Sequence, residues 1–96
     1  MKLALFSSVA GRTSPNLVSR QHPNLDFLPT VLVCPLKSGE PVTHVRTTLT
    51  WEGREYTVLC DLARPINRKA LQSAGVVDEE TSRRIVDTFL RLLALS

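Results

Sequence analysis

Residues 44–66, HVRTTLTWEGREYTVLCDLARPI, decide the fold. On the first arm, Val45, Thr47, Leu49 and Trp51 alternate with His44, Arg46, Thr48 and Thr50, the period-two pattern of a strand with one buried face. Glu52-Gly53 is the turn, because Gly53 tolerates the positive φ that a two-residue hairpin loop requires. That loop sets the register: Trp51 opposite Arg54, Leu49 opposite Tyr56 and Thr47 opposite Val58, so aromatic and β-branched residues meet across the pair. Pro65, with no N–H to give a ladder, is expected to end the second arm.

Working outward, Lys2 to Phe6 reads as a first strand and residues 7–16, SSVAGRTSPN, as a loop. Leu17 to Gln21 reads as a short strand, His22-Pro23-Asn24 as a turn, and Thr30 to Cys34 as a continuous apolar strand closed by Pro35, buried on both faces and central to the sheet. After Pro65, residues 67–72 read as a short helical or irregular segment that Gly75 stops. Asp78 caps the last element, a helix whose first turn carries Glu79 and Glu80 and whose apolar face carries Ile85, Val86, Phe89, Leu90, Leu92 and Leu93. Arg83, Asp87 and Arg91, spaced by four, form its solvated side. The fold class is therefore α+β, mainly β, within a single domain over residues 1–96: a small curved antiparallel sheet or partly closed barrel covered by a C-terminal helix. The helix face is wider than a barrel end needs, which either a buried core or a homodimer would use.

Composition limits the function classes. The 96 residues are 43 % hydrophobic and 22 % charged, with a net charge of +3. This is a globular chain whose mild basicity permits, without requiring, a nucleic acid or acidic partner. No apolar run reaches membrane-spanning length and Leu3 to Phe6 is too short for a signal-peptide core, so a cytoplasmic location is the expectation. Cys34 and Cys60 lie in apolar runs without metal-binding spacing and read as buried free thiols.

No sequence motif announces catalysis. His22 and His44 have no partner at a motif-like spacing, the serines lack a GxSxG frame, and the four glycines form no phosphate loop, so neither a metal nor a cofactor is expected. Asp61, at a strand end and shortly before Arg64, reads as a turn carboxylate or as an acid–base group. Arg46, Arg64, Arg68 and Lys69 read as dispersed surface charge or as a phosphate-binding set.

Two stretches resemble a known superfamily. Leu17-Val18-Ser19-Arg20-Gln21, through Leu25-Asp26 to Val31-Leu32-Val33-Cys34-Pro35-Leu36, resembles the CcdB toxins: a strand ending in Gln, a Leu-Asp segment, then an apolar strand closing on Pro-Leu. Val58-Leu59-Cys60-Asp61-Leu62-Ala63-Arg64-Pro65-Ile66, with Gly75-Val76-Val77 and the helix, is similar to the MazF/PemK (Kid) interferases. The resemblance implies a barrel-like homodimeric toxin of a toxin–antitoxin module, neutralised by a cognate antitoxin. The CcdB branch implies binding to the DNA gyrase A subunit, with contacts from the chain end, here Leu93, Ala94, Leu95 and Ser96. The MazF branch implies metal-independent cleavage of single-stranded mRNA, for which Asp61 with Lys37, Arg46 or Arg64 are the candidate residues. This chain departs from both patterns. It has Leu59 where the interferases carry an arginine, and Leu-Ala-Leu-Ser where the gyrase toxin ends in Trp-Gly-Ile. The CcdB-like binding role ranks first, because its resemblance includes the N-terminal half and because binding needs no catalytic side chain; the interferase role is the alternative, and a diverged, non-toxic relative that keeps the fold is the third reading.

Overall fold

A computed structural model describes residues 2–8, 14–19 and 29–94. Among them are strands β1 (Ala4–Ser7), β2 (Leu17–Ser19), β3 (Thr30–Lys37), β4 (Thr47–Trp51), β5 (Arg54–Val58), β6 (Arg64–Asn67) and β7 (Gln72–Val76), followed by helix α1 (Glu79–Ala94). Short 3-10 turns occupy Cys60–Leu62 and Arg68–Ala70. The strands form one curled antiparallel sheet in the order β4-β5-β3-β2-β1-β7, with β6 also on β3. The expected half-barrel with a C-terminal helix is what forms. The readings for Arg20, Gln21, His22 and the segment to Leu28 lie outside the described residues.

The hairpin has the register its loop dictates, with Thr47 opposite Val58, Leu49 opposite Tyr56 and Trp51 opposite Arg54. Both turn residues have positive φ, 49° at Glu52 and 78° at Gly53. That combination is the type I′ turn, whose twist matches the arms.

β3 is the spine, and the expected roles of two prolines, Pro35 within it and Pro65 in the β6 strand paired with it, need correction. Pro35 does not close the strand, which continues to Lys37. Its carbonyl accepts from the Leu59 N–H at 3.0 Å. Its missing N–H faces the same side, at the gap where β5 has left β3 and β6 has not yet joined, so no ladder bond is lost. Pro65 likewise does not end an arm: β5 stops at Val58, and Pro65 lies inside β6 opposite Leu32. Arg68 N–H donates to Pro29 O at 2.8 Å. Alternation from that bonded pair makes Leu32/Pro65 a non-bonded one, so the proline nitrogen turns to the free edge.

Residues 72–76 also differ from expectation. They form β7, paired with β1, with Leu5 opposite Gly75 and Phe6 opposite Ser73, leaving Ala74 as a bulge residue. Gly75 is inside this strand rather than a helix stop, with φ 151°, and an added Cβ would overlap Cζ2 and Cη2 of Trp51. The indole of one edge strand thus rests on the glycine of the other, which a side chain would prevent.

Side chains from β3 feed two cores, as expected of a strand covered on both faces. Cys34 and Leu36 join Leu5, Leu49, Val58 and Ile85 on the helix side, while Val31 and Val33 pack with Leu17, Phe6 and Ile66 on the other. Cys34 and Cys60 are buried and not joined in a disulfide. α1 starts where Asp78 accepts from the Thr81 N–H at 3.2 Å. Its buried stripe is narrower than the sequence suggests: Ser82, Ile85 and Thr88 are buried, but Leu90 and Leu93 are each 54 % exposed. The fully buried Ile85 side chain contributes about 1.5–3 kcal/mol.

Two polar side chains, Ser82 and Arg84, fix the helix to the sheet. The Leu3 N–H donates to Ser82 Oγ at 3.0 Å, and that hydroxyl donates to Val77 O at 3.4 Å. Arg84 donates from Nε to Thr47 Oγ1 at 3.1 Å and from Nη2 to Thr48 O at 2.9 Å, covering part of the free edge of β4.

Candidate functional site

The hairpin register continued by one step sets Arg46 opposite Leu59, two residues before Asp61. The chain turns there through Cys60–Leu62, and this brings the two charges together. Arg46 Nε donates to Asp61 Oδ1 at 2.8 Å and Nη2 to Oδ2 at 3.0 Å, the two-pronged geometry in which a guanidinium matches a carboxylate. Glu40 Oε2 lies 3.6 Å from Arg46 Nη1, a second carboxylate on the same cation.

Local structure holds this cluster. Thr57 Oγ1 donates to Glu40 O at 2.8 Å, tying the incoming loop to β5. The Val45 N–H donates to Thr43 Oγ1 at 3.2 Å and the Arg46 N–H to Thr43 O at 3.2 Å, a small turn that sets the arginine's origin. The bond to Arg46 holds the Asp61 carboxyl below its ordinary range, and the same bond raises the guanidinium. Asp61 is therefore an ionised acceptor with both oxygens engaged, poorly suited to carry a proton at neutral pH.

Of the four candidates for RNA cleavage, the fold joins Arg46 and Asp61. Lys37 ends β3 opposite Thr57, and Arg64 opens β6 opposite Val33, on the far half of the same strand. Among the described residues, neither is paired with Asp61. Leu59 is 2 % exposed, so the position at which an interferase carries its arginine belongs to the core here. Glu40 was missed in the sequence because its position in the loop has no periodic relation to Arg46. The Arg46–Asp61 contact did have a signal, the hairpin register extended past Thr47.

At the chain end, Leu93 and Ala94 are exposed, while Leu95 and Ser96 lie outside the described residues. Leu62, on the turn against which α1 packs, is 51 % exposed and adds apolar surface beside Asp61. Among the described residues no three His, Cys, Asp or Glu side chains are grouped to hold a metal ion, and no helix is long and apolar enough to cross a membrane. No protein-family model matches the chain, and no curated protein matches it.

Proposed function

We propose that this chain is the toxin of a toxin–antitoxin module, acting in the cytoplasm as a homodimer that binds a topoisomerase of the gyrase A type and is neutralised by a cognate antitoxin. The observation that carries the reading is the apolar surface at the end of α1, where Leu90 and Leu93 are more than half exposed. An exposed leucine pair on a helix is a contact surface that a partner can desolvate, and it includes Leu93, which the resemblance to CcdB assigns to the gyrase contact. The engagement of Asp61 by Arg46 and the burial of Leu59 favour binding over catalysis.

Expression in cells without an antitoxin is the test, timed so that DNA breaks and transcript cleavage are scored separately. Binding to the topoisomerase gives arrested growth with DNA breaks first, and Leu93→Glu abolishes the arrest while leaving the melting temperature unchanged. Normal growth on expression of the unaltered chain refutes the reading.

A second reading has its own observation. Arg46 and Asp61, both candidates for metal-independent cleavage of single-stranded mRNA, are in direct contact at the surface. A guanidinium there would stabilise developing charge on a phosphorane. Transcript cleavage before DNA breaks, lost in Arg46→Gln, selects it. Intact single-stranded RNA after incubation with the purified protein excludes it.

A further inference from the structure

Among the described residues the curled sheet does not close. β4 and β7 end its main strand path, β6 being a further edge on β3, and among the described residues no ladder joins β4 to β7, yet both line one cleft of about 320 Å³, with Leu49–Trp51 from one side, Val76–Asp78 from the other, and Lys2 also in its lining. Trp51 lying on Gly75 spans the gap between the edges. Successive neighbours in the sheet alternate in direction, so β4 and β7 run antiparallel to each other across the opening.

The backbone along both walls can be derived. In a two-residue hairpin the pair closing the loop, Trp51 and Arg54, is hydrogen-bonded, so Thr50/Glu55 and Thr48/Thr57 are not. Thr48 and Thr50 therefore turn their N–H and C=O groups away from β5. Arg84 Nη2 reaching Thr48 O at 2.9 Å agrees with this. Across the cleft, the Val77 N–H donates to Leu3 O at 2.8 Å, which makes Ala4/Val76 the next, non-bonded pair. Val76 therefore turns its N–H and C=O away from β1. Thr50 and Val76 thus present backbone donors and acceptors toward one opening from opposite sides. Arg84 covers Thr48 and leaves Thr50 uncovered among the described residues.

From this we infer that the seam between β4 and β7 is a docking slot for an extended peptide segment, which completes the barrel by pairing with Thr50 on one edge and Val76 on the other. The occupant follows from the two-sidedness. A strand in the folded sheet of another copy has at least one edge already paired and cannot serve both walls. Only a segment unpaired in its own chain, a disordered tail, has both edges free. It runs antiparallel to one wall and parallel to the other. Side chains aimed inward meet Trp51 and Leu49, which favours β-branched or aromatic residues at alternate positions. With Lys2 and Asp78 both at the cleft, no single sign of charge is favoured. The slot is separate from the leucine surface of the proposed target contact, so the inference stands whether or not the toxin reading holds.

The probe is the blocked heptapeptide acetyl-Thr-Val-Thr-Val-Thr-Val-Thr-amide, titrated into the full chain and followed by amide resonances and hydrogen exchange. The expected result is shifted resonances at Thr50, Val76 and the Trp51 indole. Exchange, fast at both Thr50 and Val76 in the free protein, becomes slow at both when the peptide binds. N-methylation of alternate peptide residues abolishes the effect, and Thr50→Pro, which removes an outward N–H without touching the β4–β5 ladder, weakens binding at least tenfold at unchanged melting temperature. Absence of shifts at millimolar peptide, protection gained on one edge only, or equal binding of the N-methylated peptide overturns the inference. So does protection of both amides in the free protein, which would mean that the seam closes on itself.

Discussion

Replacing Ser82 with alanine tests how the helix is fastened to the sheet. The Ser82 hydroxyl is wholly buried and lies between the Leu3 N–H, 3.0 Å away, and Val77 O, 3.4 Å away. It is the acceptor that satisfies a buried backbone donor at the end of the β1–β7 ladder. Without it, the Leu3 N–H has no acceptor at bonding distance, at a cost of about 1–3 kcal/mol for a buried unsatisfied group. The longer contact to Val77 O adds little, since a carbonyl with weak geometry loses little. Alanine is the better helix former, which returns at most about 0.5 kcal/mol. The net expectation is a destabilisation of roughly 0.5–3 kcal/mol, read as a lower urea midpoint with unchanged m-value. In a domain of this size each kcal/mol lowers the melting temperature by about 4–8 °C. Hydrogen exchange at Leu3 should accelerate more than the global change explains. A loss below about 0.3 kcal/mol would refute the reasoning: it would mean that the Leu3 N–H closes directly onto Val77 O, and that the hydroxyl only occupied a gap the ladder can seal.

Three other perturbations address different parts of the structure. Gly75→Ala should destabilise by about 2–3 kcal/mol through overlap with the Trp51 ring and the unfavourable φ, with a red shift in tryptophan fluorescence; the double variant with Trp51→Leu should recover part of that loss, and strictly additive effects would exclude the contact as the cause. Glu52→Asn should stabilise by roughly 0.5–1 kcal/mol, because asparagine tolerates the positive φ of a type I′ turn better than glutamate, and a lowered urea midpoint would contradict it. Acid should weaken the link between the arginine loop and the Cys60–Leu62 turn. Asp61 has a depressed folded-state pKa, so its contribution is fully present above the unfolded carboxylate value, about 3.9, and disappears as pH falls through the lower folded value. Asp61→Asn should flatten the stability profile across that acid window and cause its loss at pH 7; an unchanged profile would show that the pair is not coupled to folding.

Much of the fold was legible because it is written in local periods. Alternation from Thr47 to Trp51, the Glu52-Gly53 turn and the Asp78 cap each act within a few residues, and each appears where the pattern puts it. Reading failed where an element depends on a neighbour remote in the chain. Pro35 and Pro65 look like strand breakers until the ladder shows that neither missing N–H faces a paired strand. Gly75 looks like a stop signal until the indole of Trp51 is seen to lie on it. Leu90 and Leu93 fit the helix's apolar period, but the sheet covers only the stripe through Ser82, Ile85 and Thr88, which leaves both exposed.

The same division runs through the candidate site. Local pattern alone sets the hairpin and its register, and with them that Arg46 sits beside the strand end leading to Asp61, because a two-residue loop admits one pairing. That the two charges bind each other, that Glu40 joins them and that Leu59 turns into the core depends on contacts between residues remote in the chain. Packing over the whole domain also decided that, among the described residues, the sheet stops short of closing, since whether two remote strands meet depends on curvature accumulated over the whole sheet, which is not encoded in any single stretch of the chain.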